Sequence, residues 1–288
     1  MILPTCDRPQ LWPRALRSVL EQDAPELEVL LVDSNRRAPP VRDQPEFARF
    51  GGDARVRLIE GGPFANAAAA RNAGLRQAAG EWVSFLDDDD EYAPGKISRQ
   101  LALAREKSAS IVLCGFEVEL AFRRRLVQVG TRELADDALL LEAVWSTPFL
   151  FHRRDPTHFF DARYASAEDL DYALRFLAHH RLRAVPNVPD PLVQVHLQQA
   201  GRTNTQHEEN WRTCRHVLKE QRPRFSREAG RRFLLRAILQ RHKGPDGSWA
   251  KLLGAGGALV REGGAGEIRR VANACLLRTG WFDRWLVS

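Results

Sequence analysis

Apolar positions in the first 115 residues follow two alternating patterns, continuous runs typical of buried strands and the i, i+4 spacing typical of amphipathic helices. The runs predict strands over residues 2–3, 27–32, 56–59, 82–86 and 111–114. The helical spacing predicts helices over 11–20, 66–79 and 96–107, with Gly80 as the C-cap of the second. This β-α-β alternation predicts an α/β fold, a doubly wound, mostly parallel sheet flanked by helices.

The pattern loosens after about residue 120. Short apolar runs predict strands over 149–151 and 192–195, and Leu170, Leu174 and Leu177 share one face of a predicted helix over 168–180. Beyond Gly201 the sequence is basic and helical through about residue 241. We therefore predict one domain over residues 1–201, in two halves at about 1–115 and 116–201, and a helical C-terminal extension over 202–288.

Composition narrows the class of protein. The 288 residues are 44% hydrophobic and 28% charged, which excludes disordered and fibrous chains. No apolar stretch approaches the roughly 20 residues of a membrane-spanning helix, and no secretory signal is expected. The cysteines are far apart and form no CxxC motif, so we expect reduced thiols in a cytoplasmic protein, at Cys6, Cys114, Cys214 and Cys275.

The net charge of +6 is unevenly distributed. Residues 202–288 carry 18 Lys and Arg against 8 Asp and Glu, whereas the preceding residues are slightly acidic. Apolar residues lie between the basic ones over 210–241, a composition that suits peripheral contact with an anionic membrane. A solvated basic helix face, or a terminal helix packed on the rest of the protein, accounts for the same pattern.

The most informative polar residues follow predicted strands. Ligands in open α/β sheets collect at the carboxyl ends of the strands, where Thr5 to Arg8, Asp33 and the acidic run Asp87 to Asp90 are expected to meet. Four adjacent carboxylates repel one another, and hard oxygen ligands of this kind select Mg²⁺ or Mn²⁺. The run therefore predicts a metal site, with a solvated acidic turn as the alternative.

Five motifs in order resemble the family 2 glycosyltransferases over about residues 1–200. They are Pro4-Thr5-Cys6-Asp7-Arg8-Pro9, Val32-Asp33-Ser34, Ala70-Arg71-Asn72-Ala73-Gly74-Leu75, Phe85-Leu86-Asp87-Asp88-Asp89-Asp90 with Pro94 and Lys96, and Phe160-Asp161 with Glu168-Asp169-Leu170-Asp171. The resemblance implies a GT-A fold and transfer of a sugar from a nucleoside diphosphate donor, with inversion at the anomeric carbon. Residues 1–115 then form the nucleotide-sugar half and 116–201 the acceptor half.

The resemblance also implies roles for individual residues. Nucleotide or diphosphate contacts are expected from Pro4, Thr5, Arg8, Asp33, Arg71, Asp87 and Asp88. Asp89, with Asp87 and with His196 near the diphosphate, is expected to hold Mn²⁺ or Mg²⁺, and Asp169 matches the catalytic base. The variable acceptor region offers only His152, Arg153 and Arg154 as candidates.

Structural roles compete with several of these assignments. Glu168 and Asp169 suit a helix N-terminus, where the dipole stabilises anions. Arg71 could be an ion-pair partner and His196 an ordinary surface histidine. Two further features are expected to be structural: an i, i+4 pair between Asp171 and Arg175, and capping of helix carbonyls by His179 and His180.

The expected reaction is a single sugar addition in the synthesis of a cell-surface polysaccharide or glycoconjugate. UDP is the expected donor nucleotide, with GDP and dTDP open, and the acceptor is expected to be a saccharide or a lipid-linked saccharide at the inner face of the membrane. No nucleic acid partner is expected, because an acidic cluster would face the phosphates. A non-catalytic nucleotide-sugar-binding homologue and a nucleotidyltransferase are the alternatives.

Overall fold

The computed structural model describes residues 1–24, 26–120, 123–127, 133–196, 207–221, 224–230 and 232–233. The chain divides into two compact units, Met1–Gly201 and Arg202–Ser288. The strands of the first unit are β1 (Ile2–Thr5), β2 (Val29–Asp33), β3 (Val56–Ile59), β4 (Trp82–Ser84), β5 (Glu91–Tyr92), β6 (Ile111–Leu120), β7 (Arg123–Val127), β8 (Glu133–Ala135), β9 (Phe151–Arg153) and β10 (Ala184–His196). Its helices are α1 (Trp12–Leu20), α2 (Ala67–Gln77), α3 (Lys96–Glu106), α4 (Asp137–Leu141) and α5 (Glu168–His179), and α6 (His207–Gln221) belongs to the second unit.

The first half of the sheet is parallel. Strands β1, β2 and β3 pair in that order, and a parallel bridge between Ile2 and Phe85 brings the end of β4 beside β1. Strands β1 and β2 are buried along their whole length, which explains their continuous apolar sequences. Helix α2 lies close to β1: a Cβ at Gly74 would be only 2.6 Å from Ile2 Cγ2, so only glycine fits there.

The second half of the sheet is mixed. Strand β9 pairs antiparallel with β4 and β6, while β6 and β10 form a long parallel pair. Strands β5 and β8 add to β10, and β7 adds to β6, all antiparallel. The predicted α/β architecture is confirmed, and among the described strand pairs the parallel ones are β1–β2, β2–β3 and β6–β10.

Two local predictions are wrong. Helix α2 ends at Gln77 with Ala78 extended, so Gly80 is not its C-cap. The cause is Glu28, whose carboxylate accepts the backbone N–H groups of Ala79 and Gly80 at 2.6 and 2.9 Å and draws the chain out of the helix. Residues 147–149, partly assigned to a strand, form a 3₁₀ turn with a proline in its first turn, and the strand begins at Phe151.

The second unit is described only in part. Helix α6 agrees with the predicted helical start of the extension, and its side chains Cys214, Val217 and Leu218 are buried. In the segment that suggested membrane contact, residues 222–223, 231 and 234–241 lie outside the described residues. Among the described helices, none is long and apolar enough to cross a bilayer. The described cysteines, Cys6, Cys114 and Cys214, are free thiols, and Cys275 lies outside the described residues.

Candidate functional site

The ends of β1, β2 and β4 meet at one edge of the sheet, as predicted. Thr5 and Asp33 are paired across β1 and β2, and the backbone N–H of Ser34 donates to the Thr5 carbonyl at 2.9 Å. The Thr5 hydroxyl donates to Asp88 Oδ2 at 2.8 Å. This bond joins the loop after β4 to the end of β1.

Three of the four residues of the acidic run are buried, so the run is not a solvated turn. Asp88 has no exposed surface, and Asp89 and Asp90 are each 3% exposed. Arg8 pairs with Asp88 and lies 3.1 Å from Asp89 Oδ2. Burial raises the pKa of Asp88 to about 7, against the opposing effects of Arg8 and Thr5. Asp88 therefore faces β1 and fixes the conformation of the loop.

The other three carboxylates of the run form a candidate metal site. Oxygens of Asp87, Asp89 and Asp90 lie within 4.8 Å of one another. Three hard oxygen donors fit the preferences of Mg²⁺ and Mn²⁺, so these residues could hold the expected ion. Sequence reasoning missed Asp90 because adjacent aspartates cannot be told apart without the path of the loop.

His196 lies beside this group. Its backbone N–H donates to Asp90 Oδ1 at 3.1 Å, and its Nε2 lies 2.8 Å from Glu91 Oε1. Arg14 approaches the same glutamate oxygen to 3.1 Å. The imidazole is thus directed to Glu91, and the structure groups Asp90 rather than His196 with the predicted ligands Asp87 and Asp89.

A buried arginine joins the acidic run to the second carboxylate motif. Arg71, in the middle of α2, donates to Asp87 Oδ1 at 2.5 Å and to Glu168 Oε1 at 2.9 Å, and its side chain is 5% exposed. Burial alone would lower the pKa of Arg71, but the two carboxylates outweigh it and raise the pKa above its usual range. The guanidinium also lies over the Phe160 ring, 5.5 Å from its centroid.

Two asparagines of the same helix region hold the segment that precedes α5. Asn72 donates to the Phe160 carbonyl at 2.9 Å and accepts the Phe160 N–H at 2.8 Å. Asn66 caps α2 by accepting the Ala69 N–H, and its amide donates to the Ala162 carbonyl at 2.8 Å. Helix α2 thus orients the chain that leads to Glu168.

Asp169 is a half-buried carboxylate in the first turn of α5. The Leu170 N–H donates to its Oδ1 at 2.8 Å. Burial, and then the neighbouring charge of Glu168, raise the pKa of Asp169 above its ordinary value, against a smaller opposing effect of Arg71. A carboxylate in this environment is a stronger proton acceptor than a solvated one.

Other acidic side chains at the edge shape loops. Asp33 accepts the N–H groups of Asn35 and Val41 at 2.9 and 2.7 Å. Oδ1 of Asp7 accepts three consecutive N–H groups of residues 36–38. Although burial acts in the opposite direction, these bonds lower the pKa of Asp7. Both carboxylates organise the loop after β2, a role that sequence reasoning missed for Asp7. Pro4 is buried within β1.

The three candidate residues from the acceptor region contact other groups of the protein. His152 is 1% exposed, with Nε2 3.0 Å from the Tyr172 hydroxyl, so its predicted contact with an acceptor is wrong. Burial lowers the pKa of His152 to about 4. Arg153 pairs with Glu81, and Arg154 donates to the Gly80 carbonyl at 3.0 Å. The predicted pair of Asp171 with Arg175 is confirmed, at 2.8 Å.

Comparison with known proteins agrees with this geometry. The sequence profile of Glycosyl transferase family 2 matches residues 1–160, more than half of the chain. The chain belongs to glycosyl transferase family 2. The predicted resemblance is confirmed, and the motifs that carry it are those that meet at the site.

The chain is similar to several curated glycosyltransferases. It is 35% identical over 100 residues to the putative colanic acid biosynthesis glycosyl transferase WcaA of Escherichia coli K12. The matched region covers 35% of each chain. It is 33% identical over 116 residues to the GalNAc(5)-diNAcBac-PP-undecaprenol beta-1,3-glucosyltransferase of Campylobacter jejuni, covering 38% of this chain and 36% of that one. The chain thus matches about a third of the length of these relatives.

Solved structures share the fold at low identity. Staphylococcus aureus TarS 1–349 in complex with UDP-GlcNAc superposes with a TM-score of 0.67 at 17% identity, covering 84% of this chain and 72% of that one. The mannosyltransferase PcManGT of Pyrobaculum calidifontis, in complex with GDP-Man and Mn²⁺, has a TM-score of 0.59 at 18% identity, covering 99% and 82%. The predicted GT-A fold is therefore confirmed for this family 2 chain.

The buried Arg71 should be essential for stability. Replacement by methionine (Arg71→Met) leaves Asp87 and Glu168 without their shared cation, so we expect the free energy of unfolding in urea to fall by about 3–5 kcal/mol. Arg57→Met is the matched control, because Arg57 is half-exposed and its pair with Glu28 is worth about 0–1 kcal/mol. Equal losses in the two variants would contradict the bridging role of Arg71.

Proposed function

We propose that this chain is a metal-dependent, inverting glycosyltransferase that moves one sugar from a nucleoside diphosphate donor to an acceptor hydroxyl. The observation that carries the proposal is the Arg71 bridge, which fastens Asp87 of the metal-binding group to Glu168, the neighbour of Asp169. A displacement at the anomeric carbon needs a cationic site for the leaving diphosphate and a separate base for the acceptor. The Arg71 bridge would hold the cationic site and the base at a fixed separation.

Asp87, Asp89 and Asp90 would hold the divalent ion. Departure of the nucleoside diphosphate builds negative charge on the leaving oxygens, and a bound Mn²⁺ or Mg²⁺ supplies charge neutralisation there. The three oxygens within 4.8 Å of one another provide the donor set. His196 supports Asp90 through its backbone N–H, which is how we account for its position beside the group.

Asp169 would act as the catalytic base. The acceptor hydroxyl must lose its proton as its oxygen attacks the anomeric carbon, and Asp169 is a half-buried carboxylate whose raised pKa suits that proton transfer. Glu168 accepts a hydrogen bond from Arg71 at 2.9 Å, so we assign the proton transfer to its neighbour Asp169. Attack from the face opposite the diphosphate gives inversion.

The residues around the end of β1 would form the nucleotide-binding wall. Pro4, Thr5 and Arg8 line this end, and Asp33 holds the loop that follows β2 in a conformation suited to a base and ribose. Asp88 is fully buried against Thr5 and Arg8, so we assign it a positioning role rather than the predicted contact with the nucleotide or diphosphate. Arg71 likewise positions Asp87, because both of its terminal nitrogens are bonded to carboxylates.

UDP is the proposed donor nucleotide and a saccharide, free or lipid-linked, the proposed acceptor. A curated relative acts on an undecaprenol-linked substrate, and others belong to the synthesis of colanic acid and succinoglycan. A solved relative holds UDP-GlcNAc and another GDP-Man, so the nucleotide has to be decided by experiment. An acceptor on a lipid would place the chain at the inner face of the membrane, in contact through the basic extension over 202–288.

The first experiment measures release of nucleoside diphosphate from UDP-, GDP- and dTDP-sugars, after chelation and after addition of Mn²⁺ or Mg²⁺. We expect release from a UDP-sugar that depends on the metal, and a loss of at least about 100-fold in Asp89→Asn, because the leaving charge is then poorly neutralised. Donor binding without release under every condition would instead identify a non-catalytic nucleotide-sugar-binding protein.

The base is tested by Asp169→Asn, which keeps the shape of the side chain but cannot accept the proton. Turnover should fall by about 10²–10⁴-fold while the dissociation constant of the donor changes little. Asp171→Asn, two residues further along α5, is the control and should retain turnover within a few-fold. Comparable turnover in Asp169→Asn and the wild type would eliminate Asp169 as the base.

The pH dependence offers an independent test. The base must be ionised, so the raised pKa of Asp169 predicts that kcat/KM falls on the acid side well above the ordinary aspartate pKa of about 3.9. Glu168→Gln removes a neighbouring negative charge and should move this acid limb to lower pH. A limb that stays in place, or moves to higher pH, in Glu168→Gln would show that the limb does not report Asp169.

A further inference from the structure

A second cluster of metal-ligating side chains lies at the opposite end of α5 from Asp169. His179 ends the helix, His180 is its C-cap, and Asp155 lies in the loop after β9. Ligand atoms of the three residues lie within 4.8 Å of one another. His180 follows Asp169 by eleven positions, roughly 16 Å at 1.5 Å per residue of helix, so the cluster is distinct from the site described above.

The imidazoles face a carboxylate rather than helix carbonyls, which corrects the predicted capping role. Nε2 of His180 lies 3.2 Å from Asp155 Oδ2, and Nε2 of His179 lies 3.6 Å from the same oxygen. Both Asp155 Oδ2 and His180 Nε2 are inaccessible to solvent, and neither has a hydrogen-bond partner in the described part of the chain. Two buried polar atoms thus face each other without forming a hydrogen bond, which is a costly arrangement for a protein interior.

The separations of the two imidazole nitrogens from Asp155 Oδ2 match tetrahedral coordination. Bonds of about 2.0–2.2 Å from Zn²⁺ to imidazole nitrogen and carboxylate oxygen put neighbouring ligand atoms about 3.3 Å apart. The two measured separations, 3.2 and 3.6 Å, lie on either side of that value. Two imidazoles and one carboxylate are also a donor set that suits Zn²⁺ better than the hard cations of the acidic run.

The surroundings support a bound cation. The other oxygen of Asp155, Oδ1, accepts the backbone N–H and the hydroxyl of Thr157 at 2.8 and 2.7 Å, which fixes the carboxylate and directs Oδ2 to the histidines. The C-terminal end of α5 carries the negative end of the helix dipole. His179 is 62% exposed, so solvent can reach the cluster and supply a fourth ligand.

We propose that Asp155, His179 and His180 form a binding site for a divalent transition-metal ion of the zinc class. The ion would fasten the loop after β9 to the end of α5. That loop leads to His158, whose Nε2 lies 2.9 Å from the Tyr172 carbonyl, and to Phe160, which stacks on Tyr172. The site stabilises the helix that begins with Glu168 and does not depend on the proposed reaction.

The test is calorimetric titration of the full chain with Zn²⁺ after chelation, in excess Mg²⁺ to occupy the carboxylates of the acidic run. We expect one equivalent with a dissociation constant in the micromolar range or below. Asp155→Asn, which keeps the oxygen that Thr157 contacts, and His180→Gln should each weaken binding at least about tenfold. Thr157→Val should weaken it by about 10-fold through loss of the hydroxyl that orients Asp155.

Controls separate this site from other sources of binding. His216→Gln removes an exposed imidazole of the second unit, and Cys6→Ser removes an exposed thiol, so both should bind as the wild type does. His179→Gln alters a mostly exposed side chain and should weaken binding without unfolding the protein, even if His180→Gln fails to fold.

Co²⁺ provides a second readout of the same site. The wild type should give the strong visible absorption of a tetrahedral complex, and His179→Gln should lose it. Absence of Zn²⁺ binding to the wild type, or unchanged binding in Asp155→Asn and His179→Gln, would overturn the proposal and leave an ordinary histidine–aspartate ion pair.

Discussion

The structure of the site depends on one buried cation between two anions. Arg71 is bonded to Asp87 on one side and Glu168 on the other, although 97 residues separate Arg71 from Glu168. Bringing charges out of water is costly, and this arrangement offsets the cost only because the guanidinium has a carboxylate at each terminal nitrogen. The geometry therefore holds only if the acidic run and the first turn of α5 are in place together.

Helix α2, which carries Arg71, holds the acidic run and the first turn of α5 at a defined separation. Its packing on β1 needs Gly74, where any larger residue would meet Ile2, and its asparagines hold the backbone before α5. The carboxylates proposed to bind the metal lie on the loop after β4, and the proposed base lies on α5. Because α2 touches both, it fixes where an attacking oxygen and a departing diphosphate would stand relative to each other.

The sequence predicted the parts of the fold that local pattern controls. The apolar runs of β1, β2 and β3 and the spacing in α5 identified those elements, and strand ends pointed to Thr5, Asp33 and the acidic run. It could not predict the end of α2, because Glu28, far away in sequence, captures the chain there. The sequence also could not predict which aspartate of the acidic run has which role. Asp88 and Asp90 are the same residue type and differ only in their contacts, with Thr5 and with the His196 N–H respectively.

The same reasoning explains why residue roles inferred from a motif need the structure. Arg71 and Asp88 lie in motifs that suggest contact with a nucleotide, yet their polar atoms are used inside the protein, by Asp87 and Glu168 in one case and by Arg8 and Thr5 in the other. A charged group that already has short, buried partners would have to break them to bind a ligand. Asp87 and Asp169 differ in being only half-buried. Arg71 holds Asp87 through Oδ1, and the Leu170 N–H holds Asp169 through Oδ1, so the second oxygen of each carboxylate is the atom placed to meet an ion or a substrate.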